Sequence, residues 1–214
     1  METRGMTEMD QRTNVLPLMS DAGGRHHHAA SLPNLLTYGR IAAIPAIVLL
    51  MYSGGTAARW TALALFILAS ITDFFDGYLA RVWQQQSSLG RMLDPIADKL
   101  LVAAILLMLV SDATIAGVSL FAAIIILTRE ILVSGLREFL AEVQVSVPVT
   151  NLSKWKTSVQ MVALGFLLAG PAGEAAFGAV SIGLVLLFLS ALLTLYTGYD
   201  YFRSGLKHVI EDER

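Results

Sequence analysis

The chain has 214 residues, of which 55% are hydrophobic and only 15% charged, and its formal net charge is −2 at pH 7. This composition excludes an ordinary soluble domain and indicates a polytopic α-helical membrane protein. Continuous rather than alternating apolar runs argue against a barrel. Because the chain contains no cysteine, disulfides and cysteine-ligated metals are excluded, and any metal must be bound by oxygen or imidazole.

The N-terminal segment, residues 1–30, carries mixed charges but no apolar run of signal-peptide length. This pattern predicts a disordered cytoplasmic tail. Within it, the adjacent residues His26, His27 and His28 cannot converge on one ion when the backbone is helical or extended. We therefore interpret the three histidines as part of a solvated segment rather than as a metal site.

Six apolar segments follow, joined by short polar turns and without any internal repeat or separable second domain. They predict an all-α integral membrane domain over residues 31–203, with six transmembrane helices, and a polar C-terminal tail at 204–214. The predicted helices cover approximately residues 35–52, 59–83, 90–110, 115–141, 154–170 and 175–199. Arg40, near the start of the first helix, either snorkels to the headgroups or points inward at an anionic ligand.

Four aspartates interrupt the second and third predicted helices. Asp73 and Asp76 are i, i+3 neighbours and Asp94 and Asp98 are i, i+4 neighbours, so each pair lies on one face of its helix. A charge at the centre of a membrane helix costs about 2.5–3.5 kcal/mol on insertion scales. Divalent cations are the natural compensation, and two such ions held close together suit phosphoryl transfer.

Small and basic residues accompany these acids. Gly77 and Ala80 either keep a helix face open to a bulky group such as a nucleotide base or allow close helix packing. The basic residues at the same end of the helices either bind phosphates or grip anionic headgroups. They are Arg81, Arg129, Arg137, Lys154 and Lys156.

The distribution of basic residues predicts the orientation in the membrane. Of fifteen lysines and arginines, all but Arg59 fall on the side that holds both termini, and by the positive-inside tendency this side is the cytoplasm. Every charge within a helix then lies in its cytoplasmic half, which predicts a polar cavity open to the cytoplasm. A divalent-cation transporter, the alternative from another functional class, needs access from both sides, and the far halves of the second to fourth helices are apolar.

The acidic stretch also resembles a known signature. The pattern D-x-x-D-G-x-x-A-R-x8-G-x-x-x-D-x-x-x-D is that of the CDP-alcohol phosphotransferases. It is filled here by Asp73, Asp76, Gly77, Ala80, Arg81, Gly90, Asp94 and Asp98. Residues 32–40, 128–138 and 154–157 look like the corresponding stretches of bacterial members that use glycerol 3-phosphate, so the resemblance covers about residues 32–203.

The resemblance implies a reaction in which an alcohol hydroxyl attacks the lipid-side phosphorus of CDP-diacylglycerol and CMP leaves. It implies two Mg²⁺ or Mn²⁺ ions held by Asp73, Asp76 and Asp94, with Asp98 a further metal ligand or the general base. The residues implied to contact the CDP moiety are Asp73, Gly77, Ala80, Arg81 and Gly90. Those implied for the acceptor phosphate are Arg129, Arg137, Lys154 and Lys156.

The implied partners are CDP-diacylglycerol, sn-glycerol 3-phosphate and membrane lipids, with no nucleic acid, and a homodimer is left open. The implied location is the bacterial cytoplasmic (inner) membrane, crossed several times, with the active site facing the cytoplasm. A different acceptor, such as inositol phosphate or serine, would use the same metal motif. Only the region from Arg129 to Lys156 argues against that alternative.

Overall fold

The computed structural model describes residues 32–83, 88–144 and 151–212, which form six helices. The helices are α1 (Leu32–Ser53), α2 (Thr56–Trp83), α3 (Ser88–Ser111), α4 (Ser119–Glu142), α5 (Asn151–Phe177) and α6 (Ala179–Asp212). The predicted N-terminal tail, with its three histidines, lies outside the described residues. Six predicted helices are thus matched by six helices in the same order.

Several helix boundaries differ from the prediction, including the start of α4 and the end of α6. α4 begins at Ser119 rather than near Ile115, because a turn intervenes in which Gly117 has a positive φ of 58° and the Ser119 hydroxyl donates to the Ala116 carbonyl at 2.7 Å. Ile115 is nevertheless buried, so its apolar character marks core packing rather than helix. α6 continues to Asp212, through most of the segment predicted to be a polar tail.

The helices pack as two groups joined through α2 and α3. α1 packs against α2 and α3, while α6 packs against α5 and α4, and α2 and α3 both contact α5. The shared core is apolar and tightly closed; its fully buried residues include Ile47, Ile105, Leu109, Ile126, Leu164, Leu167 and Leu187. Through these contacts α2 and α3, which carry the aspartates, both lie beside α5, which carries Lys154 and Lys156.

The outer surface of the protein is as apolar as its core. Large hydrophobic side chains such as Leu49, Phe121 and Val185 are about two-thirds exposed, which is expected of a surface that faces lipid rather than water. Among the described residues, four helical segments are long and apolar enough to cross a membrane: Leu35–Ser53, Ser119–Glu142, Leu152–Phe177 and Ala179–Arg203. The chain is therefore built as an integral membrane protein.

The predicted end of the fifth helix is a kink. Gly170 adopts a left-handed φ of 51°, and the helix resumes after it to Phe177. Pro171 has no N–H to donate to the carbonyl of Leu167, four residues earlier. Arg59 of α2 supplies the missing donors, since its guanidinium donates to the carbonyls of Leu167 at 3.4 Å and Leu168 at 3.2 Å.

Candidate active site

Three of the four predicted aspartates meet around a buried arginine of α1. Arg40 is 2% exposed and donates through Nη2 to Asp73 of α2 at 2.6 Å and through Nη1 to Asp98 of α3 at 2.7 Å. Of the two orientations expected for this arginine, the inward one is confirmed, but its partners are the chain's own carboxylates. One buried cation therefore joins α1, α2 and α3 at the level of the acidic motif.

A second residue of α1 contacts Asp94, another aspartate of the acidic motif. The Thr37 hydroxyl donates to Oδ1 of Asp94, one turn before Arg40 on the same helix. Asp94 also lies close enough to Asp73 and Asp98 to repel both electrostatically. The three carboxylates, contributed by two helices, thus converge on the face of α1 that carries Thr37 and Arg40.

The carboxylates remain open on the side away from Arg40. The Asp73 side chain is 45% exposed and the Asp98 side chain 50% exposed, whereas the Arg40 side chain beneath them is 1% exposed. Among the side chains that the structure describes, no three acidic or histidine groups form a ready metal cage. The open set nevertheless has the hard oxygen donors that Mg²⁺ and Mn²⁺ prefer, and its acids carry more negative charge than Arg40 alone compensates.

For several residues of the signature, the structure describes the helix but not the side chains. Asp76, Gly77, Ala80 and Arg81 belong to the last turns of α2, but the side chains in this part of the helix lie outside the described residues. Gly90 is buried in the first turn of α3. The position of Asp76 as a fourth carboxylate therefore stays a prediction from its i, i+3 spacing to Asp73.

The predicted basic residues form a second group, on α4, α5 and α6. Lys156 of α5 is 4% exposed and donates to Oε1 of Glu130 on α4, and Arg129 lies 3.5 Å from the same oxygen. Arg129 and Lys156 are also close enough to Arg137 to interact with it electrostatically. Arg129 and Lys156 thus share one carboxylate and lie near a third cation, Arg137, so positive charge predominates in this group.

Residues of α6 hold these cations in place. Arg129 donates through Nη2 to the Thr197 hydroxyl at 3.1 Å, and the guanidinium of Arg137 stacks over the ring of Tyr201 at 5.8 Å. A Cβ atom at Gly198 would lie 3.0 Å from Cγ of Arg129, so this glycine allows the arginine side chain to cross the helix. The charge pattern of the sequence indicates the cations but not these supporting residues, which carry no charge.

Unused hydrogen-bonding capacity lies beside this group. Within the described part of the chain, Nε of Arg129, Oε1 of Gln160 and the hydroxyls of Ser190 and Thr194 are buried without a hydrogen-bond partner. Buried polar atoms in native proteins are nearly always paired with protein, water or a bound molecule. The basic group therefore has capacity for a polar ligand or for ordered water.

Lys154 is separated from the other predicted phosphate ligands. It is exposed, whereas Lys156 is buried, because residues two apart on a helix point in nearly opposite directions. The structure therefore brings together Arg129, Arg137 and Lys156 and leaves Lys154 on another face of α5.

Comparison with known proteins identifies relatives over most of this chain. The sequence model of the CDP-alcohol phosphatidyltransferase family matches residues 30–196. A Rickettsia bellii protein is 49% identical over 83% of this chain and 97% of its own length. Proteins of Cereibacter sphaeroides and Shigella flexneri are 40% and 38% identical, over 86% and 85% of this chain and 99% and 98% of their own lengths. All three relatives are named CDP-diacylglycerol–glycerol-3-phosphate 3-phosphatidyltransferase.

Proposed function

The chain belongs to the CDP-alcohol phosphatidyltransferase family, and from that premise we propose that it transfers the phosphatidyl group of CDP-diacylglycerol to sn-glycerol 3-phosphate. The products are phosphatidylglycerol phosphate and CMP, so the protein acts as a phosphatidylglycerophosphate synthase. The observation that carries this proposal is the shared name of relatives that this chain matches over nearly their whole length. The filled eight-residue signature supports the same reaction.

We propose that Asp73, Asp76, Asp94 and Asp98 hold two Mg²⁺ or Mn²⁺ ions. The convergence of three of these carboxylates from α2 and α3, with half of the Asp73 and Asp98 side chains exposed, supports this assignment. Bound divalent ions would neutralise phosphate oxygens and favour ionisation of the attacking alcohol. Arg40 and Thr37 position the carboxylates from below, because both are anchored on α1.

Asp98 is the residue proposed to accept the proton of the acceptor hydroxyl. As the alcohol oxygen forms its bond to the lipid-side phosphorus, the bond from that phosphorus to the CMP oxygen breaks, and the alcohol proton passes to the Asp98 carboxylate. Arg40 fixes the orientation of this carboxylate through the 2.7 Å contact between its Nη1 and Oδ1 of Asp98. A positioned carboxylate in this role contributes typically about 10²–10⁴-fold to a rate.

The CDP moiety is proposed to lie along the end of α2 and the start of α3. Gly77 and Ala80 follow Asp73 on α2 at helical spacing, which leaves a helix face without bulky side chains beside the acids. Arg81 and the buried Gly90 complete this subsite, the arginine as a donor to the diphosphate.

The phosphate of the acceptor is proposed to bind to Arg129, Arg137 and Lys156. The predominantly positive charge of this group suits a phosphate dianion, and the forked guanidinium of an arginine suits two phosphate oxygens at once. Lys154 belongs to the originally expected set, but its position on the opposite face of α5 makes it the weakest of the four. An acceptor without a phosphate, such as serine, would leave this charge unused.

All six helices are proposed to cross the membrane, with both termini and the active site on the cytoplasmic side of the bacterial inner membrane. The acids of α2 and α3 and the cations of α4 and α5 lie toward the ends of their helices that the basic loops mark as cytoplasmic. Water-soluble glycerol 3-phosphate and CMP then exchange with the cytoplasm, while the lipid substrate stays in the membrane.

The test is a product assay with purified protein, Mg²⁺, labelled CDP-diacylglycerol and a panel of alcohols containing glycerol 3-phosphate, inositol phosphate and serine. We expect phosphatidylglycerol phosphate from glycerol 3-phosphate alone, and loss of CMP release in both Asp94→Asn and Asp98→Asn. The matched control is Asp200→Asn, at an exposed aspartate of α6. Activity retained in Asp98→Asn would contradict the proposed base, and a product from another alcohol would contradict the proposed acceptor.

A further inference from the structure

A cavity of about 600 Å³ lies between α2 and α5, outside both groups described above. Its α2 wall is formed by Leu63, Phe66, Ile67, Ser70 and Ile71, which recur every three to four residues and therefore share one face of the helix. The facing wall comes from α5. The volume falls within the range of about 300–1,000 Å³ that is ordinary for small-molecule sites.

The lining offers apolar surface only. The single polar side chain in it, Ser70, donates its hydroxyl to the carbonyl of Phe66 at 2.8 Å and so has its donor satisfied within α2. Ile67, Ile71 and Val162 at the cavity edge are each about half exposed, so the cavity is a groove that opens sideways onto the lipid-facing surface. A hydrocarbon chain fits this chemistry, whereas a nucleotide or sugar phosphate does not.

The groove leads to the acidic motif along α2. Ser70 precedes Asp73 by three residues, about 4.5 Å along the helix axis, and the face of α2 that carries Leu63 and Ser70 continues through helical register to Gly77. The groove therefore begins within one turn of the first aspartate. The apolar tail of a ligand whose charged head lies at the acids would therefore be within reach of this groove.

On α5, the face that lines the groove also carries a basic residue. Met161 and Gly165 line the groove, and Lys154 lies seven residues before Met161, two helical turns away on the same face. The exposed Lys154, which the acceptor site does not use, lies on the groove side of α5, about 10 Å along the helix axis from Met161. This pairing of cation and groove is complementary to a phosphate that carries an acyl chain.

The far end of the groove is closed by aromatic rings. Phe177, the last residue of α5, lines the cavity and packs against Trp60 of α2, with ring centroids 6.4 Å apart. Phe166 contacts Phe177 edge to face at 6.0 Å. From Leu63 to Ser70 the groove follows about 10 Å of helix axis, so its length is finite and Phe177 limits it.

We propose that the α2–α5 groove holds one acyl chain of the lipid substrate and that Phe177 limits the length of chain it accepts. This inference rests on the proposed function, because it names where the tail of CDP-diacylglycerol lies. Leaving the bilayer for the groove exchanges one apolar environment for another and yields little hydrophobic free energy. The groove therefore selects by fit, which makes Phe177 a specificity-determining residue.

The experiment supplies purified protein in detergent micelles with a mixture of CDP-diacylglycerols that differ only in chain length, plus glycerol 3-phosphate, and identifies each product by mass. In Phe177→Ala we expect the kcat/KM ratio of long-chain to short-chain substrate to rise at least about threefold. This is below the roughly tenfold that one misfit methylene costs in an enclosed pocket, because the groove is open along its side. Phe188→Ala, a similarly exposed phenylalanine of α6, is the matched control and should leave the ratio unchanged.

A second pair of variants blocks the groove instead of extending it. A Cβ atom at Gly165 would lie 3.8 Å from Leu63 and Phe66, which is ordinary contact, so Gly165→Ala should be tolerated. The longer side chain of Gly165→Leu enters the groove and should lower kcat/KM for long-chain substrate at least about threefold while sparing a very short-chain one. Thermal unfolding checks that each variant is folded. If Phe177→Ala is not folded, Phe177→Leu is used in its place.

Each outcome decides between occupants. An unchanged chain-length ratio in folded Phe177 and Gly165 variants overturns the inference while the proposed function stands. If the variants lose a co-purifying phospholipid without a change in the chain-length ratio, the groove holds a structural lipid. If they change oligomeric state without a change in the ratio, the groove binds a second copy of the chain. Either result also overturns the inference. Absence of product from wild-type protein at every chain length contradicts the proposed function itself.

Discussion

At the scale of single residues, the most consequential side chain is Arg40. A lone buried guanidinium in an apolar helix would be prohibitively costly, yet this one is held between two carboxylates at 2.6 and 2.7 Å. Those carboxylates, in turn, would repel each other without it. Arg40 therefore stabilises the acidic motif from beneath, while the exposed halves of Asp73 and Asp98 stay available to other cations.

Replacing Arg40 should destabilise the protein when divalent cations are absent. Removing one partner of a buried ion pair costs about 3–5 kcal/mol, and we expect about 3 kcal/mol for Arg40→Met because its partners are half exposed. The measurement is the thermal unfolding midpoint in detergent with a chelator present, with Arg203→Met, an exposed arginine of α6, as the control. An unfolding midpoint equal to that of the control would refute the supporting role of Arg40.

Arg137 is expected to affect one substrate more than the other. Loss of a charge-assisted hydrogen bond costs about 1.5–3 kcal/mol, so Arg137→Ala should raise the KM for glycerol 3-phosphate about tenfold and that for CDP-diacylglycerol much less. Steady-state kinetics with each substrate varied in turn measure both values. The control is Lys154→Ala, on the opposite face of α5 from Lys156, which should leave the KM for glycerol 3-phosphate nearly unchanged. If Arg137→Ala changes the KM values of both substrates equally, Arg137 does not belong to the acceptor site.

At the scale of helices, the kink in α5 shows how a break in one element is repaired by another. Arg59 donates to two carbonyls beside the kink, and it also pairs with Asp112 at 2.8 Å and donates to Thr114 at 3.0 Å. One side chain thus ties the start of α2 to α5 and to the turn between α3 and α4. The only basic residue predicted on the far side of the membrane has a structural role there.

Gly170 should be intolerant of any side chain. A Cβ atom there would lie 2.4 Å from Nη2 of Arg59, and the positive φ of 51° is strained for other residues. Gly178 offers a matched comparison, because its φ is 64° but nothing lies within 4 Å of its Cβ position. We expect Gly178→Ala to lower the free energy of unfolding by about 1 kcal/mol and Gly170→Ala to lower it clearly more, as measured by thermal unfolding. Equal losses of stability would show that the Arg59 side chain moves aside freely.

At the scale of the whole molecule, acidic and basic side chains form two separate groups on different helices. The acids lie on α2 and α3 and the cations on α4 and α5, and α3 contacts both α1 and the α4–α5 side. A charged cofactor or substrate placed between these groups would be drawn to both. The apolar groove between α2 and α5 begins within one turn of Asp73, so under the proposed function the lipid and the water-soluble substrate would reach one site by different routes.

The orientation in the membrane can be tested by labelling single introduced cysteines, because the chain contains no cysteine of its own to give background labelling. Ser53→Cys at the α1–α2 turn and Glu142→Cys at the end of α4 both place a thiol at an exposed position. In spheroplasts, a membrane-impermeant maleimide should label Ser53→Cys directly and Glu142→Cys only after permeabilisation. The reverse pattern would invert the proposed topology, and retained activity in both variants confirms that they are folded.

The sequence by itself determined the helix count, the membrane-protein class, the acidic motif and the family, because each depends on composition or on spacing within one helix. The tertiary structure alone decided which helices meet: it brings Arg40 to Asp73 and Asp98, and Lys156 to Glu130. It also revealed the groove between α2 and α5. Helical periodicity shows which face a residue occupies, but the partner of that face depends on how helices distant in the chain pack together.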